Sequence, residues 1–167
     1  MKIKVLSTGY ISTNTYIVYN EDNNRAFVVD PAGDTDKIVD FLQSQNLTLE
    51  AVLVTHGHFD HIGGVADLQQ YGAKVYMSKL DQDKITHQNI PGFSSYGIDI
   101  KPFEPDVLLN GTEELELIGY PVKVIPTPGH SRGGLSYQCG NVIFVGDTIF
   151  FHSYGRVDFC REDCGYF

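Results

Sequence analysis

The spacing of apolar and polar residues along the first third of the chain predicts three strands and then a helix. Residues 2–7 alternate polar and apolar positions, which is typical of a half-buried strand, and residues 15–19 and 26–30 are predicted as two further strands. Short polar connections between these strands favour hairpins. Residues 35–45 instead repeat their apolar positions with helical spacing, and Thr35 is a plausible N-cap for that helix.

The rest of the chain alternates further strands with loops and helical turns. Strands are predicted near residues 51–54, 74–78, 107–109, 114–118, 122–126, 134–138 and 141–145. Helical turns are predicted after Gly63-Gly64. Residues 84–105 are irregular and contain proline, so we expect a surface loop whose aromatic residues pack on the core or cover a site. Strands with intervening helices favour an α/β (α+β) fold of two packed sheets with helices outside.

A dense group of metal-ligand side chains follows the fourth predicted strand. The run Thr55-His56-Gly57-His58-Phe59-Asp60-His61 holds three histidines and an aspartate on a predicted strand-to-helix loop. Imidazole and carboxylate donors together suit zinc, iron or manganese. Alternate positions allow His56 and His58 to reach one ion while Asp60 and His61 reach a neighbouring ion. The sequence therefore predicts a two-metal hydrolase site.

Two further candidate ligands follow later predicted strands. His130 lies in Thr127-Pro128-Gly129-His130-Ser131, and Asp147 lies in Gly146-Asp147-Thr148 at the end of a buried strand. A lone histidine would carry little weight, but His130 adds a ligand to an existing group. A carboxylate at the position of Asp147 is able to bridge two ions.

These motifs, in this order, resemble those of the metallo-β-lactamase-fold hydrolases, and within them the glyoxalase II-like (hydroxyacylglutathione hydrolase-like) branch. The resemblance runs from about residue 3 to 158 and also includes Thr13-Asn14-Thr15-Tyr16-Ile17-Val18, Val28-Val29-Asp30-Pro31-Ala32-Gly33 and Gly155-Arg156-x-Asp158. It implies a four-layer αββα sandwich. The pair Asp60-His61 argues against the main β-lactam-cleaving branch, which lacks that second histidine.

The resemblance also implies a role for each ligand. It assigns the first metal ion to His56, His58 and His130, the second to Asp60 and His61, and the bridge to Asp147. The implied cofactor is one or two zinc ions, with iron or manganese as alternatives. The implied reaction is attack of metal-bound hydroxide, with Asp60 as the catalytic residue, on the carbonyl of a small thioester or ester.

Three residues around the ligands have two alternative roles each. Thr55 and Asp30 either orient a ligand histidine through its other ring nitrogen or cap strand ends. Arg156 either binds a substrate carboxylate or forms a surface ion pair. We do not expect the 167 residues to include the separate helical domain with which the family binds its substrate, so glutathione specificity does not follow from the resemblance.

The chain departs from the family pattern after Asp147. The family places one more histidine in a Gly-His-Gly-Pro-like loop well beyond that aspartate, whereas His152 lies too close in sequence to align with it. The second metal site is therefore expected to lack one ligand. The tail 159–167 also departs from the pattern, and we expect a single domain, residues 1–167, truncated at its C-terminus, with an exposed sheet edge that allows homo-oligomers.

These departures keep two alternative functions open. A persulfide dioxygenase resembles the same family but uses a single iron held by fewer of the same residues, so it tolerates an incomplete second site. A catalytically silent, truncated metal-binding fragment is the other alternative.

Charge and composition restrict the classes of partner that the sequence allows. The 167 residues carry a net charge of −9 at pH 7 and no run of basic residues, which opposes binding to nucleic acid. The N-terminus does not resemble a signal peptide, and no apolar run is long enough for a membrane helix. We therefore expect a cytoplasmic protein with a small-molecule substrate. Its three cysteines are expected to be reduced thiols.

Overall fold

The computed structural model describes residues 1–88 and 98–158 as two β-sheets with short helices. The strands are β1 (Lys2–Thr8), β2 (Thr13–Asn20), β3 (Arg25–Val29), β4 (Thr48–Leu53), β5 (Lys74–Ser78), β6 (Val107–Leu109), β7 (Glu114–Leu117), β8 (Tyr120–Pro126), β9 (Leu135–Cys139), β10 (Val142–Phe144), β11 (Ile149–Phe150) and β12 (Ser153–Tyr154). The helices are α1 (Thr35–Ser44), α2 (Phe59–Ile62), α3 (Val65–Gln70) and a 3₁₀ helix (Lys79–Ile85).

The larger sheet has the order β1-β2-β3-β4-β5-β6. Strands β1 to β3 are antiparallel, as the hairpin prediction requires, and β3 to β6 are parallel. Parallel strands all end at one edge of a sheet. The residues that follow β3, β4 and β5 therefore lie at the same edge; they are Asp30, the histidine-rich loop and the 3₁₀ helix.

The smaller sheet is antiparallel, with the order β10-β9-β8-β7. Since β8 and β10 both pair antiparallel with β9, they run in the same direction and deliver His130 and Asp147 at one edge. A backbone hydrogen bond from Leu135 N to Thr55 O, 2.8 Å long, joins this edge to the loop that follows β4. The larger sheet thus supplies one ligand-bearing loop, and the smaller sheet supplies the segments of His130 and Asp147, at a common end of the sandwich.

Two apolar cores lie on the two faces of the larger sheet. Side chains such as Phe27 and Leu53 pack against the smaller sheet, whereas their strand neighbours Val28 and Val52 pack against the helices. All four helical segments contribute to the second core. The predicted sandwich is therefore confirmed as a helix layer on two packed sheets, and within residues 1–88 and 98–158 no helix covers the outer face of the smaller sheet.

Every predicted strand is present, with ends that differ by up to three residues. The prediction that Thr35 caps α1 is wrong. Asp34 occupies the N-cap position with a left-handed backbone (φ 47°) and makes no side-chain cap bond. Thr35 instead donates to Asp67 Oδ2 at 3.3 Å, a contact that ties α1 to α3 and has no local sequence signal.

The segment predicted as a loop over residues 84–105 is only partly described. The 3₁₀ helix extends into its start, and Phe103 packs in the helix-side core, so this aromatic residue has a packing role. The aromatic residues Phe93 and Tyr96 lie outside the described residues. So do Cys160 and Cys164, whereas Cys139 is a buried free thiol.

The short ribbon β11–β12 was not predicted, because two-residue strands leave too short a pattern. As for membrane association, none of the described helices is long and apolar enough to cross a bilayer.

Candidate metal centre

All six predicted ligands meet at the shared end of the two sheets. His56, His58, Asp60 and His61 are buried, and the side chains of His130 and Asp147 are 10% and 23% exposed. Asp60 and His61 belong to α2, whose four residues begin directly after His58. The turn of α2 brings His61 back beside His56, and the ring centroids of these two residues are 4.1 Å apart.

Three histidines form the first group. One ring nitrogen each from His56, His58 and His130 lies within 4.8 Å of the others. His58 Nδ1 and His130 Nε2 are 2.9 Å apart. His56 Nε2 is buried and has no hydrogen-bond partner among the described residues. A buried nitrogen without a partner is costly unless something outside the polypeptide, such as a metal ion, satisfies it.

The second group shares His56 with the first and adds His61 and Asp147. His61 Nε2 lies 3.2 Å from Asp147 Oδ1 and 3.3 Å from Asp60 Oδ2. The other oxygen of Asp147, Oδ2, is 3.4 Å from His130 Nε2. The two oxygens of Asp147 therefore face one residue of each group, which is the position expected of a bridge.

The tautomer of His56 follows from the hydroxyl of Thr55. Thr55 Oγ1 donates its only proton to Asp30 Oδ2 at 2.6 Å, so at 3.1 Å from His56 Nδ1 it acts as the acceptor. His56 therefore carries its proton on Nδ1, and the lone pair on Nε2 faces the centre. The predicted orienting role of Thr55 is consistent with this geometry.

Asp30 and a backbone carbonyl orient two other ligands in the same way. His61 Nδ1 donates to Asp30 Oδ2 at 2.9 Å, and His130 Nδ1 donates to the carbonyl of Arg156 at 2.8 Å. In each ring the Nε2 atom is left to face the centre. Such outer hydrogen bonds are typical of histidines that bind metals.

The ring pKa values divide the histidines into two kinds. Burial, reinforced by the neighbouring imidazoles, lowers the pKa of His56 well below its usual value, and it lowers the pKa of His58 to about 4. Burial also disfavours charge on His61, but Asp30, Asp147 and Asp60 outweigh that effect and raise its pKa well above the usual value. The surrounding carboxylates thus stabilise positive charge at the position of His61 Nε2.

These features fit a metal ion. The site offers neutral imidazole nitrogens, a buried Nε2 atom on His56 without a hydrogen-bond partner among the described residues, and carboxylates around His61 that favour a cation. Nitrogen and oxygen donors together suit zinc, iron or manganese. The expected further histidine is not replaced within the described residues, because His152 is exposed on the turn between β11 and β12.

A cavity of about 400 Å³ opens beside the second group. Asp60, His61 and Asp147 contribute to its wall, and the rest of the lining includes Ile11, Ser12, Ile149, Phe150 and Phe151. None of its described lining residues is a lysine or an arginine.

The structure places Arg156 in a surface ion pair, one of the two roles that the sequence allowed. Its guanidinium is exposed and pairs with Asp158 through bonds of 2.9 and 2.6 Å, and it is not part of the cavity lining. The contribution of this residue to the site is its backbone carbonyl. Gly155, which directly precedes Arg156, packs so closely on Asp147 that a Cβ atom on Gly155 would overlap the Asp147 carbonyl oxygen.

Two residues near the ligands were missed. Thr13 donates to Asp60 Oδ2 at 3.3 Å, and its place in the Thr13-Asn14-Thr15 motif was an available signal. Asp81 is fully buried and accepts hydrogen bonds from two ligand-bearing loops, without a sequence signal of its own.

Comparison with known proteins decides the family. The model of the metallo-beta-lactamase superfamily matches residues 8–165. The chain belongs to this superfamily. The predicted recognition is confirmed, and the ligand groups described above are those of a superfamily member.

Individual superfamily members are similar over most of the chain. The hydroxyacylglutathione hydrolase GloC of Haemophilus influenzae is 30% identical over 98% of this chain and 79% of its own length. Among solved structures, the B3 metallo-beta-lactamase BLEG-1 is 36% identical, with a TM-score of 0.85 over 94% of this chain and 77% of its own. TTHA1623, in a di-iron-bound form, is 29% identical, with a TM-score of 0.77 over 92% and 76%.

Proposed function

We propose that this superfamily member is a metal-dependent hydrolase of small thioesters or related esters. The observation that carries the proposal is a buried set of nitrogen and oxygen donors that opens, through Asp60, His61 and Asp147, onto a cavity of about 400 Å³. That volume lies within the usual range for small-molecule sites. The similarity to a hydroxyacylglutathione hydrolase supports the same reaction class.

The two ligand groups suggest which residues would bind each ion and which residues orient the ligands. His56, His58, His130 and Asp147 would hold the principal ion, and Asp60 and His61 would share a second ion with Asp147. When bound, such ions acidify water and polarise a carbonyl. Asp30, Thr55 and the Arg156 carbonyl keep the ring nitrogens in the orientation that this requires.

Asp60 is the candidate proton acceptor. Burial raises the pKa of its carboxyl group, but the hydrogen bond and charge of His61 outweigh burial and hold the pKa below its usual value. The carboxylate is therefore ionised at neutral pH, and it lies on the cavity wall where an attacking water would lose a proton. A thiolate leaving group needs no strong acid, so the site requires no further proton donor for thioesters.

The cavity favours small neutral substrates. Glutathione carries two carboxylates, and the described lining offers no lysine or arginine to pair with them. The exposed guanidinium of Arg156 is already paired with Asp158. We propose that neutral thioesters with an apolar group are turned over better than glutathione thioesters, with kcat/KM at least about tenfold higher.

Alanine variants of the ligands test the hydrolase proposal. His56→Ala and His130→Ala should each lower kcat/KM for a neutral thioester at least about 100-fold, because each removes a ligand of the three-histidine group. The control is His87→Ala, since His87 is exposed and lies in neither ligand group. Intact turnover in the two ligand variants would contradict the site assignment.

A persulfide dioxygenase is the second candidate, favoured by one observation. The two groups of ligand atoms that lie close together share His56, so these groups alone do not supply two separate sets of three ligands. Elemental analysis of protein purified without added metal separates the candidates. Near two zinc per chain favours the hydrolase, near one iron favours oxygen consumption with a persulfide, and almost no metal favours a silent fragment.

The similarity to BLEG-1 adds a third assay. The pair Asp60-His61 argued against β-lactam cleavage at the level of sequence, and a fold likeness to a lactamase does not decide the substrate. Turnover of a β-lactam faster than turnover of every thioester tested would replace the proposed substrate class.

A further inference from the structure

One buried carboxylate outside the ligand groups contacts both loops that carry the three histidines. Asp81, on the 3₁₀ helix after β5, has no exposed surface. Its Oδ2 accepts from the Gly57 N–H at 3.0 Å, and its Oδ1 accepts from the Gly133 N–H at 2.7 Å. Gly57 lies between His56 and His58, and Gly133 follows His130 by three positions.

The two hydrogen bonds need a carboxylate specifically. A carboxylate presents two acceptor oxygens, so each oxygen of Asp81 serves one loop. An asparagine of the same shape would accept from one loop and turn its NH₂ group towards the N–H of the other. Burying a carboxylate is costly unless it is hydrogen-bonded, so the position of Asp81 is tied to both loops.

Close packing strengthens the connection. A Cβ atom on Gly133 would lie 2.7 Å from Asp81 Cγ, and one on Gly57 would lie 2.8 Å from the Asp81 carbonyl oxygen. Both loops therefore pack directly against Asp81. A displacement of Asp81 relative to either loop would change the separation of His58 Nδ1 and His130 Nε2, now 2.9 Å.

We propose that Asp81 is a positioning residue that holds the loop of His56 and His58 in register with the loop of His130. Its two hydrogen bonds set the distance between the ring nitrogens and so the affinity and geometry of the three-histidine site. The proposal rests on the metal site of the proposed function and is independent of the substrate.

The test compares Asp81→Asn with a matched acid-to-amide control. Glu113 accepts from the N–H groups of Asn110, Gly111 and Thr112 in a turn without candidate ligands, so Glu113→Gln makes the same chemical change there. Metal-free proteins are titrated with Co²⁺ and with Zn²⁺ against a competing chelator. Asp81→Asn should weaken binding about 10- to 100-fold and alter the Co²⁺ absorption spectrum, whereas Glu113→Gln should change the affinity less than about threefold.

Parent affinity and spectrum in Asp81→Asn would overturn the proposal. If that variant does not fold, Gly133→Ala is titrated instead, since its Cβ pushes the loop away from Asp81 without removing a polar group. In the folded parent without metal, the Gly57 and Gly133 amides should exchange with solvent at similarly slow rates, and rapid exchange of either one would also overturn it. Metal binding is read without turnover, so an enzyme inactive on thioesters would refute the proposed function alone.

Discussion

At the scale of single residues, the centre depends on groups that do not face it. Asp30 has a left-handed backbone (φ 50°) at the end of β3, and its carboxylate accepts from Thr55 N, Thr55 Oγ1 and His61 Nδ1. This arrangement fixes His61 directly and His56 through Thr55. One carboxylate therefore sets the orientation of a ligand in each group.

Asp30→Asn is expected to weaken metal binding about 10- to 100-fold, because an amide at this position offers one acceptor oxygen for three donors. Competition with a chelator measures the affinity. The matched control is Asp106→Asn, which alters a carboxylate that accepts from Val75 N at 2.8 Å away from the ligands. Equal affinities of the Asp30 variant and the parent would show that Asp30 does not orient the ligands.

The sequence identified the six candidate ligands but not their supports. The ligands stand in short motifs whose residue types carry chemistry on their own. Asp81 accepts hydrogen bonds from Gly57 and Gly133, which lie 24 and 52 positions away in the sequence. Such long-range hydrogen bonds leave no local sequence pattern. The surface ion pair of Arg156 was one of its two predicted alternatives, whereas the hydrogen bond from His130 to its backbone carbonyl has no sequence signal.

At the scale of secondary structure, the ends of strands carry the function. Fully buried Tyr137 on β9 of the smaller sheet donates to the Val54 carbonyl at 2.7 Å, directly after β4 of the larger sheet. Burial raises the pKa of this hydroxyl well above its usual value, so it remains a donor. The bond spans the two sheets immediately before the ligand loop.

Tyr137→Phe should lower the free energy of unfolding by about 1–3 kcal/mol, since it leaves a buried carbonyl without this donor. Urea unfolding followed by circular dichroism measures the change. Tyr120→Phe is the control, because Tyr120 accepts only an exposed bond from the N-terminal amine; its effect should stay within about 0.5 kcal/mol. Equal effects of the two variants would contradict a special role for the bond between the sheets.

The elements themselves were largely predictable, and their arrangement was less so. Short apolar runs bounded by polar turns locate these strands, because the central strands of the larger sheet are buried on both faces. The resemblance to the family, more than the pattern, indicated two packed sheets. The cap of α1 was misassigned because Thr35 bonds to Asp67, a residue 32 positions away.

At the scale of the whole molecule, the buried histidines make stability depend on pH. The metal-free protein should lose stability as the pH falls from about 6.5 to 4. Histidines in the unfolded chain take up protons near pH 6.5, whereas His58 has a pKa of about 4 in the fold. The unfolded state therefore binds more protons in this window, and the free energy of unfolding falls with pH.

The loss that His58 causes should be on the order of 3 kcal/mol at pH 4. His61 does not offset it, because a raised pKa adds stability that is already complete below pH 6.5. Urea unfolding with a chelator present, at several pH values, measures the effect. The decrease in the free energy of unfolding between about pH 6.5 and 4 should be smaller in His58→Gln than in the parent or in the exposed control His87→Gln. An unchanged decrease in His58→Gln would show that His58 does not cause it.

An edge strand of a sheet can pair with an edge strand of another chain. We propose that this protein self-associates through the edge strand β10. Of the four described edge strands of the two sheets, β1 carries lysines and β7 carries glutamates, whereas β6 (Val107–Leu109) and β10 (Val142–Phe144) are apolar, and β6 has no exposed residue. Charged residues on an edge strand oppose pairing with another chain. Ile143 is 49% exposed, and no described strand pairs with the free side of β10.

Sedimentation over a range of protein concentrations should therefore show a dimer that Ile143→Lys weakens at least about tenfold. The added charge on the edge opposes pairing and leaves the buried neighbour Phe144 in place. Val5→Lys is the matched control, because Val5 is equally exposed, at 49%, on the opposite and already charged edge strand β1. A monodisperse monomer that melts cooperatively above the ordinary range of about 45–65 °C would show that the β10 edge needs no partner.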